Sequence, residues 1–265
     1  MTKKQSKNTA PATSLVLRVC RPDYTSHSGF SWPSEIGVEV AAPDWKKNKE
    51  CGNGLHGWLY GQGDHSCVSY WEDDEAKWMV LEVPSADIVM LGGKCKFPSA
   101  KVRYIGTRSA AADFIIANEP KALNVAVIGA CLKVGDGEVV QVGSLGTATA
   151  GESGTATAGY RGTATAGNYG TATAGEGGTA TAGYRGTATA GYRGTATAGK
   201  SGTATAGESG TATAGESGEI RIQWWDSKAQ RYRTKIGYVG EDGIKADTAY
   251  KLNDNNEFEE VKEEE

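Results

Sequence analysis

The densest gathering of metal-binding and acid–base side chains lies in two neighbouring stretches, Glu50-Cys-Gly-Asn-Gly-Leu-His-Gly-Trp (50–58) and Asp64-His-Ser-Cys (64–67). Cys51, His56, His65 and Cys67 are residue types that hold zinc in a tetrahedron. Their order, Cys-x4-His-x8-His-x-Cys, is not the usual spacing of a structural zinc site, in which ligand pairs enclose roughly two to five residues. The stretch reads instead as a glycine-shaped turn with a packed histidine, and no metal or cofactor is expected. All five cysteines (Cys20, Cys51, Cys67, Cys95, Cys131) precede residue 146. Their number is odd, and the basic start MTKKQSKNTAPATS lacks the hydrophobic stretch of a secretion signal, so reduced thiols in a soluble, cytoplasmic protein are expected.

The elements that must carry these residues are short strands. Leu15–Val19, Val38–Ala41, Trp78–Val83, Ile88–Leu91, Val102–Ile105 and Val125–Ile128 are strand-like apolar runs, and Ser109–Ala117 reads as a short helix. Residues 15–128 therefore read as an α+β head domain behind a disordered start, 1–14. Residues 129–145 form a transition in which Val134, Val139, Val140 and Val142 fill a first, fatter coil ahead of the repeats.

Residues 146–217 contain no Leu, Ile, Val, Phe, Met or Trp, so no conventional core runs through them. The hexapeptide Gly-Thr-Ala-Thr-Ala-Gly starts at Gly146 and recurs every eight residues up to Gly210, nine times in all. Such self-similarity marks a stacked repeat. In an extended strand, period two places both threonines on one face and both alanines on the other, while Gly-x-x-Gly supplies the permissive backbone of a corner. Eight residues are too few to close a coil, so two units per coil are expected: about four and a half coils in a β-solenoid on the order of 20 Å long. One buried methyl contributes about 0.8 kcal/mol, whereas fixing one residue's backbone costs about 1–2 kcal/mol. An alanine core alone does not close the coil; backbone ladders and end caps must supply the rest.

Two other readings of this stretch exist. A disordered linker would share its composition, but strict alternation without insertion over nine units argues for structure. Threonine packed inside would require every buried hydroxyl to find a hydrogen-bond partner.

Residues 218–255 read as an aromatic β-hairpin cap. Glu219–Trp225 and Arg231–Val239 alternate as strands around an Asp226–Gln230 turn, and Trp224, Trp225, Tyr232, Tyr238, Tyr250 and Phe258 supply the mass that the repeats lack. The acidic tail 256–265, with six Glu and one Lys, is expected to be disordered. It accounts for the net charge of −4; residues 1–145 carry 16 basic and 16 acidic side chains, and the repeats four of each. That balance argues against nucleic acid, and no apolar run approaches the ~20 residues of a membrane helix.

Read from its second alanine, the unit is Ala-Gly-Tyr-Arg-Gly-Thr-Ala-Thr (Ala158–Thr165, Ala182–Thr189, Ala190–Thr197). It resembles the octapeptide of bacterial ice-nucleation proteins, Ala-Gly-Tyr-Gly-Ser-Thr-x-Thr. The resemblance implies a β-solenoid with outward Thr-x-Thr ladders that order water or contact ice. The candidate surface residues are Thr147, Thr149, Thr155, Thr157, Thr163, Thr165, Thr171, Thr173, Thr179, Thr181, Thr187, Thr189, Thr195, Thr197, Thr203, Thr205, Thr211 and Thr213. With nine units where that family has many more, adsorption to ice rather than nucleation is implied. A flat Thr face is equally what a soluble β-surface uses, in which case the rod is a platform for macromolecules.

The variable pairs place Tyr160, Arg161, Tyr169, Tyr184, Arg185, Tyr192 and Arg193 near the middle of the stack, an expected interface for a protein partner or self-association. The flanks resemble an uncharacterised domain that precedes short repeats in phage and prophage proteins. The likeness rests on Leu15-Val-Leu-Arg-Val, the Gly-Leu-His turn, Trp78-Met-Val-Leu-Glu-Val and the closing Gly243-Ile-Lys-Ala-Asp-Thr-Ala-Tyr-Lys-Leu, and it implies a phage accessory role. The same elements resemble ADP-ribosyltransferase folds, which implies an alternative catalytic set of Arg18, His56 and Glu82: His56 or Arg18 gripping a dinucleotide and Glu82 stabilising an oxocarbenium-like centre. The reading adopted is a non-enzymatic surface-recognition protein.

Overall fold

The computed structural model describes residues 12–262, and the chain divides into two compact units at Asn124/Val125. Val125–Ile128, expected from its apolar run to be a strand, instead forms none.

The first unit is a seven-stranded antiparallel sheet with one helix. Its strands are β1 (Thr13–Cys20), β2 (Glu39–Ala41), β3 (Leu55–Leu59), β4 (Lys77–Pro84), β5 (Val89–Met90), β6 (Cys95–Phe97) and β7 (Ser99–Gly106), in the order β2-β7-β4-β1-β3-β6-β5. α1 (Arg108–Asn118) begins where the Thr107 side chain accepts the Ala110 N–H. It packs on β1, β4 and β7 and buries Ala111, Ala112 and Ile115. Of the residues expected to be disordered, 1–11 lie outside the described residues, and Thr13 and Ser14 already pair with Pro84 and Val83.

Strands β3 and β6 are not apolar runs in the sequence. Leu55-His-Gly-Trp-Leu reads as a turn but forms β3 between β1 and β6. The reason lies at Gly57, where an added Cβ would stand 2.4 Å from Val16 Cγ1 and 2.7 Å from the Leu17 carbonyl oxygen. This glycine serves close packing on β1 rather than a turn.

The second unit is a two-sheet parallel β-solenoid of about six coils. It opens with β8 (Cys131–Lys133) and β9 (Val139–Gln141), and each repeat then gives one four-residue strand. β10 (Thr147–Ala150), β12 (Thr163–Ala166), β14 (Thr179–Ala182), β16 (Thr195–Ala198) and β18 (Thr211–Ala214) follow β8 in one sheet. β11 (Thr155–Ala158), β13 (Thr171–Ala174), β15 (Thr187–Ala190) and β17 (Thr203–Ala206) follow β9 in the other. Each residue pairs with the one sixteen positions on, Thr147 with Thr163 and Ala148 with Ala164, so two units make a coil. Every repeat alanine is buried and the threonines face outward, as the polar–apolar alternation requires.

The invariant glycines have a different role from the one the sequence suggests. The positive φ of each corner falls on the second variable residue, for example Arg161 at 48°, Ser209 at 59° and Gly177 at 63°. The glycines are instead required by contact between coils: a Cβ on Gly159 would lie 2.7 Å from the Ser144 nitrogen. Each corner is closed by a turn bond such as Gly162 N–H to Gly159 O (3.0 Å), and successive corners are tied by bonds such as Arg161 N–H to Glu176 O (2.8 Å).

Larger side chains close both ends. Val127, Ile128, Val140 and Val142 are buried at the first coil, whereas Val139 projects outward from a threonine-equivalent place opposite Thr155. At the far end β19 (Glu219–Asp226) continues one ladder in parallel, and β20 (Arg231–Tyr238) pairs antiparallel along it. β21 (Tyr250–Leu252) meets β18 antiparallel and carries β22 (Phe258–Glu260). The hairpins therefore extend the sheets edge to edge, and Arg231, Arg233 and Lys235 leave the last edge charged. Ile220, Ile222, Ile244 and Tyr250 fill the end, whereas Trp225, Tyr232 and Tyr238 are exposed, contrary to the expectation that the aromatic mass covers it. Part of the acidic tail is strand β22 rather than disordered, while Glu263–Glu265 lie outside the described residues.

Candidate functional site

Each solenoid sheet displays a Thr-x-Thr ladder. Five strands present Thr147, Thr149, Thr163, Thr165, Thr179, Thr181, Thr195, Thr197, Thr211 and Thr213 on one face. Four present Thr155, Thr157, Thr171, Thr173, Thr187, Thr189, Thr203 and Thr205 on the other. Strand geometry spaces the hydroxyls by about 6.6 Å along a strand and about 4.8 Å between coils. The larger face thus runs about 19 Å from its first repeat strand to its last. Parallel pairing stacks each threonine on another at a fixed χ1-restricted geometry, so the methyls and hydroxyls form ordered rows rather than a mobile surface.

The tyrosine and arginine positions do not form one patch. Tyr169, Tyr184 and Arg185 lie on one corner edge, where Tyr169 and Tyr184 meet edge to face at 5.5 Å. Tyr160, Arg161, Tyr192 and Arg193 belong to the other edge, with Glu176 and Gly177 between them. The guanidinium groups of Arg161, Arg185 and Arg193 lie 5.6, 5.2 and 5.0 Å from the rings of the tyrosines that precede them. Like charges are kept apart along the edges, and Lys200 Nζ bonds Glu216 at 2.6 Å.

In the first unit the structure brings Arg18 and His56 together but not Glu82. Both line a cavity of about 770 Å³, and Arg18 Nη1 donates to the His56 carbonyl oxygen at 3.2 Å. Glu82 pairs in register with Leu15, three residues from Arg18 and on the opposite face of β1. Its carboxylate accepts from Arg103 (2.6 Å) and Thr13 (2.9 Å). Partial burial works to raise the Glu82 carboxyl, but these two bonds prevail and hold it below the usual range. A catalytic set of Arg18, His56 and Glu82 is therefore not assembled.

Burial pushes the His56 imidazole down to about 4, helped by Lys94, Arg18 and Lys96, so it is neutral at neutral pH. Burial also brings Arg18 down to about 10, which leaves it charged. Among the described residues no three His, Cys, Asp or Glu side chains are grouped as metal ligands; the His65 ring packs edge-on against Trp71 at 5.1 Å.

Two features of the cavity escape sequence reasoning. Trp32, 14 residues beyond Arg18, carries the guanidinium over its ring at 5.0 Å and donates Nε1–H to Ser26 Oγ. Lys96 is fully buried yet completely satisfied: its Nζ donates to Asn48 Oδ1 (2.6 Å), Glu50 O (2.9 Å) and Gly52 O (3.3 Å), and so pins the loop that walls the cavity. A Cys-x-Phe tripeptide gives no hint that its middle lysine points inward.

Residues 14–117 match a family described as "Domain of unknown function (DUF7666)". The repeat region is similar to ice nucleation proteins: 40% identical over 109 residues to that of Pseudomonas fluorescens, 39% over 108 to that of Xanthomonas campestris pv. translucens, and 36% over 104 to InaU of Pantoea ananas. These matches cover 40%, 40% and 38% of this chain but only 9%, 7% and 10% of the relatives, so the chain spans a small part of their length. No solved structure matches significantly. The chain is thus a repeat protein whose octapeptides resemble those of ice nucleation proteins, and whose residues 14–117 match a domain of unknown function.

Proposed function

We propose that the solenoid acts through its two threonine faces as a rigid, non-enzymatic surface that orders water and adsorbs to ice. The observation that carries this reading is the uniformity of the outward positions. The same ladders accept Cys131, Lys133, Val139, Gln141, Glu219 and Arg221 at places in register with threonines, and they pair there without interruption. Folding alone therefore does not demand threonine at all eighteen outward repeat positions. A surface function that needs ordered rows of methyl and hydroxyl does. The ice nucleation proteins to which the repeat is similar bear a name that agrees with such a surface.

The test is ice-crystal shaping and the gap between melting and freezing, measured on the full chain and on a Thr165→Tyr/Thr181→Tyr variant. These two threonines are neighbours at the centre of the larger face, so two rings would break its rows without entering the core. Faceted crystals with the parent chain and rounded crystals with the variant are expected. Unmodified crystals with the parent, or identical faceting by both, would refute the proposal.

A further inference from the structure

We propose that the cavity of the first unit binds a small molecule that joins an oxyanion, phosphate or carboxylate, to a planar body, with Arg18 as the anion-gripping residue. Arg18 is 7% exposed and lines the cavity. Among the described residues the one side-chain hydrogen bond of Arg18 runs from Nη1 to the His56 carbonyl oxygen, and Nε has no partner. The ionisable groups that act on it are the Cys20 thiol and the Tyr70 phenol, neither of them a carboxylate.

A buried cation without a counter-charge is costly, and folds avoid it unless something else provides that charge. The same unit shows how a buried cation is normally handled, since Lys96 is surrounded by three oxygen acceptors. Arg18 has been given one, and the Nε edge of its planar fork, though buried, is left unpaired. That edge is one side of the geometry that grips a carboxylate or phosphate with two parallel bonds.

The other features of the cavity point the same way. His56 Nε2 is also buried and unpartnered, which adds a second polar atom with unused capacity. Lys94 lines the cavity and adds positive potential at His56. The acidic Asp44 in the lining is held by Asn53 Nδ2 at 3.1 Å. Phe30, Trp32 and Tyr70 present aromatic surface to the cavity, and its volume falls within the range of roughly 300–1,000 Å³ typical of small-molecule sites. An anion held by Arg18, with a flat apolar body against these rings, would satisfy the orphaned Nε–H, and a donor group on that body would satisfy the His56 ring nitrogen.

The experiment is calorimetric titration of the full chain with phenyl phosphate, benzoate and the neutral analogue benzyl alcohol. At least one anionic probe should bind at least tenfold more tightly than benzyl alcohol, and the stronger of the two identifies the oxyanion. Arg18→Met and Arg18→Lys should each weaken that binding at least tenfold with the circular dichroism spectrum unchanged. Lysine keeps the charge but loses the planar fork, so it reads the site even where methionine fails to fold. A second readout separates ligand binding from a merely structural role. Removing an unpaired buried charge should leave the ligand-free Arg18→Met protein at least as heat-stable as the parent. Failure of both anions to bind the parent chain, or binding by Arg18→Lys equal to the parent's, would overturn the proposal.

Discussion

Gly175→Ala is the most direct test of how the solenoid is held together. An added Cβ at Gly175 would stand 2.8 Å from the Gly159 carbonyl carbon, 2.9 Å from its oxygen and 2.9 Å from the Tyr160 nitrogen, all backbone atoms of the neighbouring coil. Ordinary contact begins at 3.4 Å, so the coils must separate locally by at least 0.6 Å. The Gly175 N–H is shared between the carbonyl oxygens of Ala158 (3.1 Å) and Gly159 (3.2 Å), and that displacement carries both beyond about 3.5 Å, out of useful hydrogen-bond range. The loss of one net backbone bond costs about 1 kcal/mol, and overpacking against a backbone that cannot yield adds about 1–3 kcal/mol. The reduced freedom of the unfolded chain returns about 0.5–1 kcal/mol, so a net destabilisation of about 1–3.5 kcal/mol is expected. The control is Gly177→Ala. Its Cβ meets only the flexible Arg161 side chain at 3.2 Å, and the penalty is that of a left-handed residue, about 1 kcal/mol. Amide hydrogen exchange in the repeat strands of both full-length variants reads the two costs locally, without assuming that the two units unfold together. Protection unchanged in Gly175→Ala, or lost more severely in Gly177→Ala, would refute the argument that coil contact explains the invariant glycines.

Replacing the four left-handed serines of the solenoid, Ser153, Ser201, Ser209 and Ser217, with glycine should raise solenoid stability by about 2 kcal/mol, because relief of the backbone strain exceeds glycine's entropic cost; a lower melting temperature would contradict this. His56 gives the first unit a pH dependence of definite sign. Its folded imidazole titrates near 4 and its unfolded one near 6.5, so between these values the unfolded chain binds the extra proton and stability falls as pH drops. In His56→Gln, urea midpoints at pH 6.5 and 4.5 should lie closer together than in the parent; an unchanged difference would show that carboxylates alone set the slope.

The solenoid was legible in the sequence because its rules are local. Thr-Ala-Thr-Ala alternation decides which face is buried, and a period of eight with no insertion decides the register that pairs Thr147 with Thr163. The role of its glycines was not, because contact between residues sixteen apart leaves the same letter as a flexible turn. In the first unit the long strands β1, β4 and β7 and helix α1 announce themselves by apolar runs, whereas β3 is hidden by Gly57 and β6 by the inward lysine between Cys95 and Phe97. Arg18, His56 and Glu82 could each be picked out by type. Only the alternation of β1 and its register with β4 shows that Glu82 faces away from Arg18, and that depends on which strands are neighbours.

The uniformity of the threonines bears on function only if recent duplication of the octapeptide does not explain it. The variable pair gives the comparison. Across nine units it has become Glu-Ser, Tyr-Arg, Asn-Tyr, Glu-Gly and Lys-Ser, so the copies have had time to diverge wherever the fold tolerates divergence. The alanines and glycines are held by the packing, since the former are buried and the latter abut backbone. The threonines satisfy neither condition. They are half-buried or exposed, their ladder neighbours in the flanking coils include valine, glutamine, glutamate and arginine, and β-propensity does not distinguish threonine from valine or isoleucine at such a place. Solubility would exclude those two but would admit serine, lysine or glutamate as readily. What distinguishes threonine is the combination of a methyl, a hydroxyl and a stiff χ1, repeated without exception on both faces. On the proposed function, that combination serves something that touches whole rows at once, a lattice of water more than a partner that would imprint one spot.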